Sequence, residues 1–180
     1  MTTTLIITGS PSGSSRTARL AGIVGERLAA LGSDSSLLDV RALPAEDLLH
    51  AKFDAPAIVS ALERVAAAQG IVVATPIYKA AYSGVLKTFL DILPQFGLRN
   101  KVVFPLVTGG TLAHVLSIDY ALRPVLSSLD PLHIVAGLFV LDKQITITPE
   151  GGVELAPELS PKLDEALRNY AASLKRAHVA

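Results

Sequence analysis

Short runs that are apolar almost throughout alternate along this chain with longer segments whose apolar residues recur at helical spacing. That alternation restricts the fold more than any other feature. The run Gly70–Thr75 (GIVVAT) is the clearest example. A strand that is apolar on both faces must be covered on both faces, as a central strand of a parallel sheet is. Strand, crossover helix, strand is the unit that provides such cover, and its crossovers are right-handed. The sequence therefore predicts an α/β fold with helices on both faces of a sheet.

The first strand is expected at Thr4–Thr8 (TLIIT), followed by a loop rich in Gly, Ser and Pro at Gly9–Ser15. The next helix is expected over Arg16–Leu31, where Leu20, Ile23, Val24, Leu28 and Leu31 share one face and Gly32 suits the stop. Further strands are expected near Ser36–Val40 and at Gly70–Thr75, Lys101–Val107 and His133–Leu141. Further helices are expected at Pro56–Ala68, Ser83–Leu93, Leu112–Leu129 and Ser160–Arg176. Pro56 suits a first turn, Pro94 ends its helix, and Pro124 calls for a kink or irregular turn inside its segment. Leu43–Ala55 reads as irregular, Pro76–Tyr82 as a loop, and Gln144–Glu158 as a hairpin or loop around Gly151-Gly152. No linker, repeat or low-complexity tract interrupts the pattern, so residues 1–180 are expected to form one domain. The alternation favours a flavodoxin-like, doubly wound sheet of five parallel strands in the order 2-1-3-4-5.

Composition narrows the functions. Half of the residues are apolar and only 18% are charged, which suggests either extra buried surface, such as a subunit interface, or simply an Ala- and Leu-rich domain. Lys+Arg and Asp+Glu both total 16, and no long basic run occurs, which argues against nucleic acid or a membrane surface as a partner. Without cysteine there is no disulfide, thiolate nucleophile or Cys-ligated metal, and no metal site is expected. The absence of cysteine fits a cytoplasmic protein. The start Met-Thr-Thr-Thr lacks a basic region and a long apolar stretch, so no signal peptide is expected. No apolar stretch approaches the roughly 20 residues of a membrane-spanning helix.

Three loops would emerge at the carboxyl edge of the sheet, where open α/β folds bind ligands. The first, Gly9-Ser10-Pro11-Ser12-Gly13-Ser14-Ser15-Arg16-Thr17, places hydroxyls and backbone N–H groups before a helix N-terminus. That arrangement suits a phosphate monoester, or else is a serine-rich turn with a serine cap. It is neither a Walker A loop nor G-x-G-x-x-G. In the second loop, Pro76 stiffens the backbone, and Ile77 and Tyr78 offer a flat apolar wall for an isoalloxazine ring or for packing. Lys87 and Asp91 lie four apart on the following helix, the spacing of a surface ion pair. The third loop, Thr108-Gly109-Gly110-Thr111, allows close backbone approach, or is a plain turn. His114 just beyond it serves either a ligand contact or the fold.

The motifs GSPSGSSRT, ATPIYKAAYSGVLKTFLD and VTGGTLAHVLSIDYALRPVLSSL resemble the NADPH-dependent FMN reductase family, and within it the reductase component of two-component alkanesulfonate monooxygenases. The likeness runs over Leu5–Leu141 and includes AEDLLHAKFDAPAI. It implies reduction of FMN by NADPH, with NADH as an alternative donor. It implies too that FMN behaves as a substrate, that a flavin-dependent monooxygenase in sulfur scavenging receives the reduced flavin, and that the chain forms a homodimer or homotetramer. Carried over by position, Ser10, Ser15, Arg16 and Thr17 match phosphate-binding residues. Pro76, Ile77 and Tyr78 match the flavin-ring loop, and Thr108, Gly109 and Gly110 the third loop. Tyr120 stands where the subgroup has an inserted tyrosine that makes a local π-helix at the tetramer interface, beside the flavin site. Ser12 stands where relatives often carry Arg or Lys, which leaves the phosphate or NADPH contact short of a charge.

Hydride transfer from nicotinamide C4 to flavin N5 needs stacking, orientation and exclusion of water rather than a side-chain nucleophile. That step requires no catalytic side chain; Tyr120 and His114 are the candidates. The rival readings are an FMN-containing quinone or azo reductase and a non-enzymatic, flavodoxin-type electron carrier. The neutral charge balance lacks the acidic face that a carrier uses for docking.

Overall fold

The structure, a computed structural model, describes residues 2–178. The chain starts with β1 (Thr2–Thr8), α1 (Arg16–Ala30), β2 (Ser33–Asp39), α2 (Ala45–Leu49) and α3 (Pro56–Ala67). It continues with β3 (Gly70–Tyr78), β4 (Ala81–Tyr82), α4 (Gly84–Asp91) and β5 (Val102–Gly109). The remainder is α5 (Arg123–Ser128), β6 (His133–Ile134), β7 (Leu138–Leu141), β8 (Ile145–Ile147), β9 (Val153–Leu155) and α6 (Leu159–His178). The sheet runs β2-β1-β3-β5-β6, with β7 also on β5 and β4 folded back on β3. Counted by its long parallel strands this is the expected 2-1-3-4-5, with β5 as the fourth and β6 and β7 as two pieces of the fifth.

Each face of the sheet is closed by its own set of helices. Ile6, Val72, Phe104 and Leu106 meet Leu20, Val24 and Leu28 of α1 and Leu163, Leu167 and Leu174 of α6. Leu5, Ile7, Ile71, Val73 and Val103 meet Ile58 and Val65 of α3, Leu86 and Phe89 of α4, and Leu126 of α5. Neighbouring residues of one strand thus enter opposite cores, which explains why these strands read as unbroken apolar runs.

Five expectations are corrected. β4 is antiparallel to β3, because the strand predicted to stop at Thr75 continues to Tyr78 and turns back. The strand expected from Ser36 begins at Ser33, paired with Thr2, and the irregular Leu43–Ala55 contains the short α2. The single helix expected over Leu112–Leu129 is a 3₁₀ turn (Leu112–His114), a π turn (Ile118–Leu122) and α5. Pro124 falls in the first turn of α5, where a missing N–H costs least.

The fifth correction concerns the last parallel strand, which breaks between Ile134 and Leu138. Its cause is Pro105, in the middle of β5. In the parallel register Val103↔Ile134, the amide at 105 would serve the carbonyl of Val135, and proline has none. The Arg123 guanidinium takes its place, donating to the carbonyls of Ile134 (3.1 Å) and Val135 (3.2 Å). Its Nε also donates to Asp119 Oδ1 (3.1 Å) in the π turn. A Cβ on Gly137 would lie 2.9 Å from Ile118 Cγ2 and 3.2 Å from Pro105 Cβ, so only glycine lets the π turn sit against the break. The π turn and the broken strand are one piece of local packing.

Candidate functional site

The carboxyl edge of the sheet is held together by bonds between loops. Gly9 N donates to Ala74 O (2.9 Å), which ties the first loop to β3. Ser83 donates its hydroxyl to Gly9 O, accepts from Leu86 N (3.1 Å) as the cap of α4, and donates its own N–H to Thr75 Oγ1 (3.1 Å). A Cβ on Gly9 would run into Leu86 Cβ, so glycine is what lets the loop lie on α4. The buried hydroxyls of Thr17 and Thr108, 2.6 Å apart, lock the start of α1 to the end of β5.

The serine loop is arranged as a helix N-terminus open toward solvent. Ser15 caps α1, accepting from Thr17 N (3.1 Å) and Ala18 N (3.5 Å), and no acidic residue occupies the first turn. The amides of Gly13, Ser14 and Arg16 have no acceptor among the described residues. Arg16 is anchored through Nε, which donates to Ile145 O (3.1 Å), leaving its two terminal nitrogens uncommitted. Free amides, hydroxyls and half a guanidinium at the positive end of a helix are the groups that an anion would need.

Opposite lies a strained hairpin. Tyr78 pairs with Ala81 and Ile77 with Tyr82, leaving a two-residue turn of Lys79 (φ 50°) and Ala80 (φ 62°). Such a turn asks for positive φ at both positions and normally uses Asn and Gly. Holding Lys and Ala there costs about 1–2 kcal/mol each. The turn fixes the direction of Ile77 and of half-exposed Tyr78.

Between these walls lies a cleft of about 290 Å³. Ser15, Arg16, Thr17, Pro76, Ile77, Tyr78, Thr108 and Gly109 all line it, as do Ser12, Ser14 and Asp142. Ser10 does not line it: it is buried, and its hydroxyl accepts from Ser12 N (3.4 Å) to shape the loop. Gly110 also lies outside the lining, as do His114, on the 3₁₀ turn, and Tyr120, on the π turn and 80% exposed. The Lys87–Asp91 pair forms at 2.5 Å and raises the lysine pKa, while burial raises that of Tyr82. Sequence reasoning did not single out Asp142 or Ser83. Asp142 had a positional signal, since it follows the fifth parallel strand and so reaches the same edge. Ser83 had none beyond its place before a helix.

The NADPH-dependent FMN reductase family model matches residues 2–146. FMN reductase (NADPH) of Escherichia coli strain K12 is 43% identical over 175 residues, 97% of this chain and 91% of that protein. The chain belongs to the NADPH-dependent FMN reductase family. It is accordingly an oxidoreductase that works with FMN and a reduced nicotinamide. A solved NADH:FMN oxidoreductase (EMOB, apo form) superposes with a TM-score of 0.89 at 36% identity, covering 100% of this chain and 97% of that one. A flavodoxin of Streptococcus pneumoniae TIGR4 matches at TM-score 0.58 and 18% identity, over 98% of this chain and 99% of that one, and shares the flavodoxin-like fold.

Proposed function

We propose that the cleft holds FMN with its phosphate on the serine loop and its ring against Ile77 and Tyr78. We propose further that the flavin comes and goes as a substrate and, once reduced, passes to a partner monooxygenase that liberates sulfur from sulfonates. The observation that carries the flavin reading is the donor set: free amides of Gly13, Ser14 and Arg16, the Ser12 and Ser14 hydroxyls and the open Arg16 fork, beside an apolar wall. Phosphate requires the first group and a flat aromatic ring the second.

When bound, the flavin would supply the hydride acceptor for a reduced nicotinamide. The chain's residues do the rest by position. Arg16 and the serine loop anchor the phosphate, and Thr108, locked to Thr17, fixes the floor. The rigid turn at Lys79-Ala80 keeps Ile77 and Tyr78 at the height of the ring. No side chain is asked to donate or accept a proton, so His114 is assigned no chemical role.

NADPH is the first choice of donor, with NADH as the alternative, since the relatives include proteins named for each. The assembly is a homodimer or homotetramer, and the face that supports it carries Leu112, Val115, Leu116 and Tyr120, all exposed around the π turn. The partner monooxygenase rests on the motifs of the alkanesulfonate subgroup. The cytoplasm is the proposed location; among the described residues no helix is long and apolar enough to cross a membrane.

The test is nicotinamide oxidation by flavin-stripped protein, with and without FMN, for NADPH and NADH side by side. Oxidation that saturates with added FMN is expected. A rate independent of FMN, with fast turnover of a quinone by protein that keeps its flavin, contradicts the substrate reading.

A further inference from the structure

Two charged side chains line the flavin cleft, and only one attracts a phosphate. Arg16 is the cation; Asp142 is the anion. Asp142 opens the 3₁₀ turn Asp142–Gln144 after β7, whose last residue, Leu141, pairs with Gly109. The turn is pinned on both sides. Leu141 N donates to Gln144 Oε1 (3.0 Å), Gln144 O accepts from Ala156 N (2.9 Å), and Ile145 O accepts from Arg16 Nε (3.1 Å). The bond that anchors Arg16 thus also holds the segment carrying Asp142. The Asp142 carboxylate lies beside the third loop: a Cβ on Gly110 would meet it at 3.9 Å, an ordinary contact. None of the ion pairs among the described residues includes Asp142.

A phosphate monoester carries nearly two negative charges at neutral pH. An unneutralised carboxylate in the same cleft works against it. A site shaped only for tight retention has no use for that charge, whereas a site that must release its flavin every turnover has.

We propose that Asp142 sets flavin release: its charge weakens the hold on FMN and, because reduced FMN carries still more negative charge, favours departure of the product. This rests on the flavin reading of the cleft. It assigns to one residue the difference between a flavin that is a substrate and one that is a fixture.

The experiment compares equilibrium binding of FMN and of riboflavin, which lacks the phosphate, in wild type, Asp142→Asn, Asp142→Ser and Asp142→Glu, each checked for an unchanged melting transition. Asn and Ser remove the charge, and both should tighten FMN by about tenfold through lost repulsion. Riboflavin should change by less than about twofold, and Glu should behave as wild type. The neutral variants should also turn over more slowly at saturating FMN, because release limits them. FMN binding that is unchanged or weaker in both neutral variants overturns the proposal, as does riboflavin tightened as much as FMN; the flavin site itself then stands. A wild type that binds neither flavin overturns the flavin reading, and this inference with it.

Discussion

The two ends of the parallel sheet use polar groups in opposite ways. At the amino end they are closed on one another. The hydroxyl of fully buried Tyr170 lies 3.2 Å from Thr4 Oγ1, Thr4 lies 3.0 Å from Ser33 Oγ, and Ser33 donates to Thr2 O. Tyr170 presses on Gly70, where no Cβ fits, and stacks at a tilt on Phe104 with ring centres 5.8 Å apart. The Lys101 ammonium is buried too, and donates to the carbonyls of Ala66 (2.9 Å) and Ala68 (2.6 Å) at the end of α3. At the carboxyl end the amides of the serine loop, the Arg16 fork and the Asp142 carboxylate are left open toward one cleft. Buried polar groups must be satisfied within the protein. The open groups at the carboxyl end are solvent-exposed or half-buried instead, and are the donors that the proposed flavin site would use.

The comparison can be broken most forcefully at Tyr170. Replacing it with Ala removes a fully buried ring and should cost about 3–5 kcal/mol in denaturant unfolding, while FMN affinity of the folded protein stays within about twofold. A comparable loss of flavin affinity would mean that the two ends are not independent. At the other end, Arg16→Ala should weaken FMN by about 10- to 100-fold, the loss of a charged hydrogen-bonding anchor, with stability changed by no more than about 1 kcal/mol, read by titration and melting.

A pH scan sharpens the same contrast. Burial raises the Tyr170 pKa above its ordinary 10.0. Above that pH the unfolded chain sheds the proton and the folded chain keeps it, so the folded state binds more protons and stability falls as pH rises. The slope from this residue is at most about 1.4 kcal/mol per pH unit, and Tyr170→Phe should flatten it. The smallest effect is expected at the hairpin. Replacing Lys79-Ala80 with Asn-Gly should relieve left-handed strain and add about 1 kcal/mol of stability. Flavin turnover that falls at the same time would show that the strained turn serves the site.

Much of this was legible in the sequence. Apolar runs specified the central strands because those strands are buried on both faces, and the loops after them marked the edge where the candidate site lies. The serine loop and Ile77-Tyr78 could be singled out because helix starts and strand ends leave local signatures. What could not be read depended on contacts between distant segments. The break in the fifth strand follows from Pro105 in its neighbour, and Arg123 fills a gap made far away in sequence. The π turn is invisible to periodicity and was expected only through the family likeness around Tyr120. The hairpin at Lys79-Ala80 leaves no local signature, because neither residue is the Gly or Asn that announces such a turn. Ser10 reads as part of the serine loop's anion site because a serine there looks alike in sequence whether it faces the cleft or folds inward.

The most direct test of the contrast between the ends is one FMN titration on three proteins: wild type, Arg16→Ala and Lys101→Met. Loss of FMN affinity in Arg16→Ala alone, with Lys101→Met less stable but binding as wild type does, is the predicted result. Wild-type affinity in Arg16→Ala, or an equal loss in both variants, would contradict the assignment of the carboxyl edge as the flavin site.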